Sequence, residues 1–336
     1  MASRVSAVRA FDPSTDFTVG LGSKQQAYHR RADCVKKSIK WGQLKLLVAE
    51  LEFFTRYWDE AQVPSPIVVY VGSATGTHIA TLAKYFPSFS WELYDPNPHN
   101  PLLSKTPRVR IHQQFFTDDD AKHYAGRPDI FFITDLRTTS YLGGFERKLT
   151  EPQERANEAL VQENMDQQAR WYNLIQPVQA SLKFRLPYLY KWVDRVQKPT
   201  RKYLDGLVYI QAWAPCTSTE TRLVPTKGAP EREWNYAAHE EVMFNHNVET
   251  REKQTFLNPI TASILPIAPS LGLTNDYDST MTTVVVMDYL SKFKVEPSNA
   301  NVLAVLEDLI AGANEGKTNL VGLRAGVKLA EADDDE

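Results

Sequence analysis

Residues 67–95, IVVYVGSATGTHIATLAKYFPSFSWELYD, constrain the fold more than any other stretch of the chain. An apolar run leads into a turn of small residues, then into a helical pattern from Thr77, and then into a second apolar segment that ends at Asp95. This order predicts the ligand-binding edge of a doubly wound α/β sheet. Gly72 and Gly76 allow the backbone to turn tightly and to approach a ligand. Because a carboxylate after the second strand can accept both hydroxyls of a ribose, the stretch predicts a cofactor that contains a nucleoside.

The spacing of the glycines separates two classes of cofactor. A dinucleotide requires the pattern G-x-G-x-x-G, which brings a pyrophosphate to the helix N-terminus. Here the pattern is G-x-x-x-G, with Ser73 where a second glycine would stand, so a dehydrogenase is disfavoured. S-adenosylmethionine has a ribose and an amino-acid tail but no phosphate, and it suits the looser turn. The alternative is a turn that binds no ligand.

The rest of the chain continues the alternation of strands and helices. Thr150 with Gln153 three residues later forms a capping-box pattern that opens a long helix ending near 175. Other helices are predicted at 42–58 and 302–310, and strands at 109–113, 129–134, 178–186, 206–213, 220–224 and 282–287. We expect an N-terminal arm over 1–23, one main domain over 24–295, and a C-terminal helix with an acidic, disordered tail over 296–336.

Composition excludes several classes of protein. No apolar run is long enough to span a bilayer, and the N-terminus lacks the apolar core of a signal peptide, so a cytoplasmic location is expected. The two cysteines have no metal-ligand spacing. His239 and His246 are spaced as H-E-E-V-M-F-N-H rather than H-E-x-x-H, so no metal site is predicted.

Two segments concentrate positive charge, at 24–45 and at 183–203. The second segment also contains aromatic residues, including Tyr188, Tyr190 and Tyr203. Cations that neutralise phosphates, next to rings on which bases can stack, are typical of surfaces that bind single-stranded nucleic acid. The alternative is a solvated charged face whose rings turn into the core.

Four ionisable residues lie at a helix start or in and beside predicted strands. They are Lys45, Asp135, Lys183 and Glu220. Two lysines between two carboxylates can activate a hydroxyl group, because burial and a neighbouring cation lower the pKa of a lysine until it can act as a base. For four ionisable groups so far apart in sequence, the pattern alone favours ordinary, unrelated surface charges over a catalytic group.

Several segments resemble the poxvirus cap-specific mRNA 2′-O-methyltransferases, a family that also provides the small subunit of the viral poly(A) polymerase. The matching segments are WGQLKLLVAELEFF (41–54), VVYVGSATGTHI (68–79), ITDLR (133–137), SLKFRLPY (181–188) and QAWAPCTSTETRL (211–223). The resemblance implies a Rossmann-like fold of the S-adenosylmethionine-dependent methyltransferases, with a central, mostly parallel sheet flanked by helices. It implies capped mRNA as substrate, allows a poly(A) polymerase catalytic subunit as partner, and places the protein in the host cytoplasm or the virion.

The resemblance also assigns roles to residues. The four ionisable residues become the catalytic Lys-Asp-Lys-Glu tetrad, in which Lys183 is the base for the ribose 2′-hydroxyl of the first transcribed nucleotide. The implied cofactor-binding residues are Gln43, Tyr70, Gly72, Ala74, Gly76, His78, Asp95, Asn97, Phe115, Phe116, Asp135 and Arg137. For cap and RNA binding the resemblance implies Tyr188 and Tyr28 as stacking rings, and the basic aromatic segment 183–203 adds Arg185, Tyr190 and Lys191.

The chain departs from the family at three positions. Asn97 replaces an arginine beside the ribose-binding aspartate, and Tyr190 and Ala237 replace two carboxylates that read the edge of the cap guanine. Glu240 or Glu241 could substitute for them. The leading hypothesis is a 2′-O-methyltransferase, and the alternative is a non-catalytic RNA-binding processivity subunit of a viral poly(A) polymerase. The complete tetrad favours the enzyme, and the altered cap-reading positions favour the alternative.

Overall fold

The computed structural model describes residues 7–20, 22–29, 35–36, 39–138, 150–188, 199–317, 320 and 328–329. The strands are β1 (Ala7–Ala10), β2 (Thr18–Val19), β3 (Val35–Lys36), β4 (Ile67–Val71), β5 (Ser90–Tyr94), β6 (Val109–His112), β7 (Ile130–Thr134), β8 (Gln179–Phe184), β9 (Thr200–Tyr203), β10 (Gly206–Tyr209), β11 (Thr221–Pro225), β12 (Arg232–Asn235), β13 (Gln254–Leu257) and β14 (Lys328–Leu329). The α-helices are α1 (Ile39–Tyr57), α2 (Thr77–Tyr85), α3 (Asp118–His123), α4 (Glu151–Ile175), α5 (Tyr236–Asn245), α6 (Pro259–Ile267), α7 (Tyr277–Lys292) and α8 (Asn299–Ala313).

The central sheet has eight strands in the order β2-β10-β11-β8-β7-β4-β5-β6. Neighbouring strands are parallel from β8 to β6, whereas β11 runs antiparallel to both β8 and β10. The chain leaves β4 toward β5 on one side and reaches β7 on the other, so the strand order reverses at β4. This confirms a mixed α/β architecture with a large, mostly parallel sheet.

Helices cover both faces of this sheet. Alternate residues of β4 belong to different cores: Val68 and Tyr70 pack with α1, α2, α7 and α8, whereas Val69 and Val71 pack with α3 and α4. All four side chains are buried. A strand covered on both sides reads as a continuous apolar run, which explains why the sequence predicted its bounds correctly.

The predicted starts of two helices are confirmed. Helix α2 begins at Thr77, and α4 begins directly after Thr150. The Thr150 backbone N–H donates to Gln153 Oε1 at 2.9 Å, as the capping box requires. Both starts depend on a few neighbouring residues, and such local signals are readable from the sequence.

The strand predicted at 282–287 is wrong, because these residues lie in the middle of α7. The β-branched run Val284-Val285-Val286 favours a strand by propensity. Helix α7 is buried over most of its circumference, since it packs on α1 and α8. A helix that is buried over most of its circumference lacks the one-sided apolar stripe with 3.6-residue periodicity by which helices are recognised.

The N-terminal residues 7–20, expected to be part of an arm, are packed on the main body instead. Strand β1 pairs in parallel with β13, and Phe17 is buried in the core. The Tyr277 hydroxyl donates to the Asp16 carbonyl at 2.5 Å. The partners of this segment lie some 250 residues further along the chain, so no local pattern announces them.

Helix α8 packs on α1, α2 and α7 in the same hydrophobic core as the main domain. A Cβ atom at Gly312 would come within 2.1 Å of Thr81 Oγ1 on α2, so the absence of a side chain sets the distance between the two helices. The predicted acidic tail, 331–336, lies outside the described residues.

Candidate active site

A cavity of about 1060 Å³ opens at the carboxyl ends of β4, β5, β7 and β8. In α/β sheets, ligands bind at this edge, at the point where the strand order reverses. All four residues of the tetrad line the cavity. It is also lined by nine of the predicted cofactor residues, namely Gln43, Gly72, Ala74, Asp95, Asn97, Phe115, Phe116, Asp135 and Arg137.

The turn after β4 is shaped by two glycines in the left-handed conformation. Gly72 has φ +79°, and a Cβ there would lie 2.7 Å from the backbone carbon of Asp135. Gly76 has φ +70° and precedes α2. The sequence interpretation linked Gly72 to the close approach of a ligand, but the atoms it approaches belong to the end of β7. The glycine therefore brings the turn and Asp135 together.

Asp95 is buried at the end of β5, and the structure fixes its carboxylate. The Ala74 backbone N–H donates to Oδ2 at 3.1 Å. Asn97 donates to Oδ1 twice, from its backbone N–H at 2.8 Å and from its side-chain amide at 3.0 Å. The side-chain bond depends on the short asparagine amide, which stands here in place of the longer arginine of the family.

The tetrad converges, although its members are up to 175 positions apart in sequence. Lys183 Nζ lies 2.9 Å from Asp135 Oδ1 and 3.3 Å from Glu220 Oε2. Lys45 Nζ donates to the other oxygen of Glu220. Lys45 and Lys183 are largely buried, with 12% and 14% of their side-chain surfaces exposed. The ammonium groups of the two lysines and the carboxylates of Asp135 and Glu220 therefore form one cluster of alternating charges at the cavity wall.

Arg222 is a fifth charged residue of this group, and sequence reasoning missed it. It lies opposite Lys183 in the β8–β11 pair and is only 4% exposed. Its Nη2 donates to Asp135 Oδ1 at 2.7 Å and its Nη1 to the Thr134 carbonyl at 2.7 Å. The signal was present, because residues two apart on a strand share a face and Arg222 follows Glu220 by two.

The buried charges set each other's pKa values. Burial lowers the pKa of Lys183, and the positive charges of Arg137 and Lys45 act in the same direction, against the opposing effect of Asp135 and Glu220. Burial alone would raise the pKa of both carboxylates, but the surrounding cations hold them below their ordinary values. Near neutral pH, the carboxylates are ionised and Lys183 releases its proton more readily than a solvated lysine.

Gln168 of α4 fixes the backbone of Lys183, and it too was missed. Its Nε2 donates to the Lys183 carbonyl at 2.7 Å and to the Tyr203 hydroxyl at 2.8 Å. Its Oε1 accepts from Thr134 Oγ1 at 2.6 Å, and the Lys183 backbone N–H in turn donates to that hydroxyl at 3.2 Å. A buried glutamine inside a mostly polar helix pattern gives no local hint of such a role.

Three predicted cofactor residues lie behind the cavity wall. Tyr70 is fully buried and its hydroxyl donates to Glu50 Oε1 at 2.6 Å. His78 is 1% exposed, and its Nδ1 lies 2.9 Å from Gln43 Oε1. Gly76 is the last residue of the turn and lies next to Leu103. The cavity lining does not include these three residues.

Of the predicted RNA-binding residues, the structure describes Arg185 and Tyr188, which follow β8 in the chain, and Tyr28, which lies against α5. Arg185 forms two hydrogen bonds to Glu158, at 2.9 and 3.1 Å, and its guanidinium lies 4.6 Å from the centroid of the Tyr188 ring. Tyr28 is 42% exposed and contacts the Phe244 ring edge-on. Tyr190 and Lys191 lie outside the described residues.

A second cavity of about 190 Å³ adjoins the first and shares Arg137 and Lys183 with it. It lies between α4 and the end of β8 and is also lined by Arg185. Near this side, Glu240 is buried, and burial together with the charges of Glu241 and Glu158 raises its pKa to about 7.

Within the described part of the chain, no helix is both long and apolar enough to cross a membrane. Over the same residues, no group of three or more histidine, cysteine, aspartate or glutamate side chains is arranged to hold a metal ion.

Comparison with known proteins finds one matching family. The model of the poly(A) polymerase regulatory subunit family matches residues 18–310. A protein of Myxoma virus (strain Lausanne), named cap-specific mRNA (nucleoside-2′-O-)-methyltransferase, is 29% identical over 198 residues, which cover 56% of this chain and 53% of that protein. A protein of the same name from fowlpox virus (strain NVSL) is 26% identical over 268 residues, which cover 76% of this chain and 77% of the relative. The chain thus spans about half the length of the Myxoma virus relative and about three quarters of the fowlpox virus one.

Proposed function

This chain belongs to the poly(A) polymerase regulatory subunit family, and on that premise we propose that it is a cap-specific mRNA 2′-O-methyltransferase. It transfers a methyl group from S-adenosylmethionine to the ribose 2′-hydroxyl of the first transcribed nucleotide. The two viral relatives carry the name of this activity. The strand order, reversed at β4 beside the cavity, supports the Rossmann-like form of the fold.

One observation carries the proposal: Lys183 Nζ lies between Asp135 and Glu220 at the wall of a cavity that also contains the Gly72 turn and Asp95. A methyltransferase requires a methyl-donor site and a group that prepares the acceptor hydroxyl, and both must face the same space. A protein that only binds RNA has no need of a lysine with a lowered pKa in such a place.

The cofactor side of the cavity suits S-adenosylmethionine by its chemistry. Asp95 can accept hydrogen bonds from ribose hydroxyls. The small residues Gly72 and Ala74 leave space along the turn, and the Phe115 ring, 73% exposed, offers a flat apolar surface for a base. When held by these residues, S-adenosylmethionine would supply an electrophilic methyl group on a sulfonium sulfur, and the remaining thioether would be the leaving group when the methyl passes to the ribose oxygen.

The residues of the tetrad then have distinct tasks. Neutral Lys183 accepts the 2′-hydroxyl proton on Nζ, and Asp135 and Glu220 hold that nitrogen in position and stabilise the ammonium that forms. Lys45 and Arg222 balance the carboxylates, so that these do not raise the pKa of Lys183 as far as they otherwise would. Because the attacking oxygen, the methyl carbon and the sulfur would have to lie in line, much of the rate enhancement comes from orientation.

The proposal can be tested with cofactor that carries a labelled methyl group and three short capped RNAs. One RNA has an N7-methylated cap, one an unmethylated cap, and one an N7-methylated cap on a 2′-deoxy first nucleotide. We expect label on the first nucleotide of either capped ribose substrate and none on the deoxy substrate. Transfer to no substrate, or equal transfer to the deoxy RNA, would contradict the assignment.

The second candidate function is that of a non-catalytic processivity subunit, which binds RNA and a poly(A) polymerase catalytic subunit. The description of the family favours it. It predicts that tail extension by the polymerase increases when this protein is added, and that the increase persists in a Lys183→Met variant. An increase that requires Lys183 would link tailing to methyl transfer instead.

A further inference from the structure

A line of buried polar groups runs from the cavity wall into the protein behind the Gly72–Gly76 turn. Gln43 is part of the cavity lining. Behind it follow His78, Glu50 and Tyr70, which are 1%, 3% and 0% exposed. Polar groups buried this deeply are retained at a cost in stability unless each is paired, so their arrangement calls for an explanation.

The geometry fixes which end of the Gln43 amide faces the protein. The backbone N–H of His78 lies 3.2 Å from Gln43 Oε1, and a backbone N–H can only donate. The Gln43 atom at that place must therefore be the carbonyl oxygen and cannot be the amide nitrogen. His78 Nδ1 lies 2.9 Å from the same oxygen, so it must be the protonated ring nitrogen.

The other side of the imidazole is held as well. His78 Nε2 lies 3.2 Å from Glu50 Oε2, and the other oxygen of Glu50 accepts from the Tyr70 hydroxyl at 2.6 Å. Within the part of the chain that the structure describes, neither His78 Nε2 nor Glu50 Oε2 has a hydrogen-bond partner. The ring is thus held by its contact with Gln43 on one side and lies against the Glu50 carboxylate on the other.

We propose that His78 is a positioning residue, which holds Gln43 so that both amide N–H groups are available to an acceptor on the bound cofactor. The inference rests on the proposed function and deepens it. Among the acceptors that S-adenosylmethionine offers, the carboxylate of its amino-acid end is the charged one, and it binds a pair of amide N–H groups most strongly. His78 therefore contributes to cofactor binding through Gln43, from behind the cavity wall.

Calorimetric titration with S-adenosylhomocysteine tests the proposal directly. We expect Gln43→Leu and His78→Phe each to weaken binding roughly tenfold, the loss typical of a hydrogen bond to a charged group. The double variant should bind no more weakly than Gln43→Leu alone, because His78 acts only through Gln43. His78→Asn, whose amide nitrogen can replace Nδ1–H, should stay within about threefold of the wild type.

His246→Phe is the matched control, because His246 is also a buried histidine but does not line the cavity. It should lose stability without losing affinity. Gln43→Glu tests the polarity without altering His78: the new carboxylate repels that of the ligand, so it should bind more weakly than Gln43→Leu. Wild-type affinity in His78→Phe, additive losses in the double variant, or Gln43→Glu binding better than Gln43→Leu would each overturn the inference alone. Failure of the wild-type protein to bind would refute the proposed function and the inference together.

Discussion

The half of the cavity around the Gly72–Gly76 turn comes from one contiguous stretch of chain, whereas the half around Lys183 is assembled from separate elements. In the first half, backbone turns and Asp95 create the site, and its hydrogen bonds are local. In the second half, residues from α1, β8 and the ends of β7 and β11 form one cluster of alternating charges. Under the proposed function, the first half of the cavity serves cofactor binding and is called the cofactor half. The second half serves the chemistry and is called the reaction half. Only in the reaction half do the side chains depend on one another's charges.

The largest effect should follow from the loss of Lys183. Lys183→Met removes the proton acceptor, and we expect methyl transfer to fall by roughly 10² to 10⁴. Affinity for S-adenosylhomocysteine should change by no more than about twofold, because the lysine lies in the reaction half. Initial rates and calorimetry measure the two quantities. Lys84→Met, on an exposed lysine paired with Asp308, serves as control and should retain full activity.

A loss of cofactor affinity as large as the loss of rate would mean that the two halves are not separable. The contrast between binding and chemistry would then be wrong, although the assignment of the cavity could still stand.

The next largest effect concerns stability. Arg222→Met removes a buried cation from the partly buried Asp135 carboxylate, and the free energy of unfolding should fall by about 3 kcal/mol. Urea denaturation at neutral pH measures this. Arg110→Met is the matched control, because Arg110 pairs with Glu92 at 3.2 Å but its side chain is 73% exposed. It should cost less than about 1 kcal/mol. An equal loss of unfolding free energy in both variants would show that the charges around Asp135 do not depend on one another for stability.

The pH dependence of the rate should be steep only for steps that involve the reaction half. If neutral Lys183 is the base, kcat rises about tenfold per pH unit while the pH is below the pKa of Lys183 and is level above it. Burial lowers that pKa, so the plateau should begin below the ordinary lysine value of 10.5. Asp135 and Glu220 stay ionised throughout, since their pKa values are held low. A rate that falls with rising pH would instead mean that the charged ammonium is the active form.

The smallest effect is expected in the cofactor half. Asp95→Asn replaces one of the two accepting oxygens with a donor, and cofactor affinity should fall up to about tenfold while kcat at saturation stays nearly constant. Comparing the change in KM with the change in kcat separates this outcome from a general loss of structure. Asp119→Asn, on a carboxylate that is 89% exposed, is the control. A drop in kcat larger than the rise in KM would assign Asp95 to the chemistry.

The same contrast explains what could be predicted from the sequence. The strand, the turn, the helix start at Thr77 and Asp95 lie within 29 consecutive residues, and the bounds of the strand and the start of the helix were predicted correctly. The convergence of the tetrad followed from a family resemblance, because residues on different strands become neighbours only through the strand order. Gln168 was missed because a helix residue acquires such partners only in the folded protein, and Arg222 was missed although its spacing of two from Glu220 is readable in the sequence. The helix at 282–287 was read as a strand because its burial removes the helical period.

The close contact between Gly312 and Thr81 bears on where this protein can be shortened. Helix α8 covers apolar surfaces of α1, α2 and α7, so a chain that ends before Asn299 would expose them to water. Without α8, helix α2, which follows the Gly72–Gly76 turn, would lose the contacts that support it from the side. A minimal soluble fragment with a working cofactor site should therefore retain the C-terminal helix through at least Ala313.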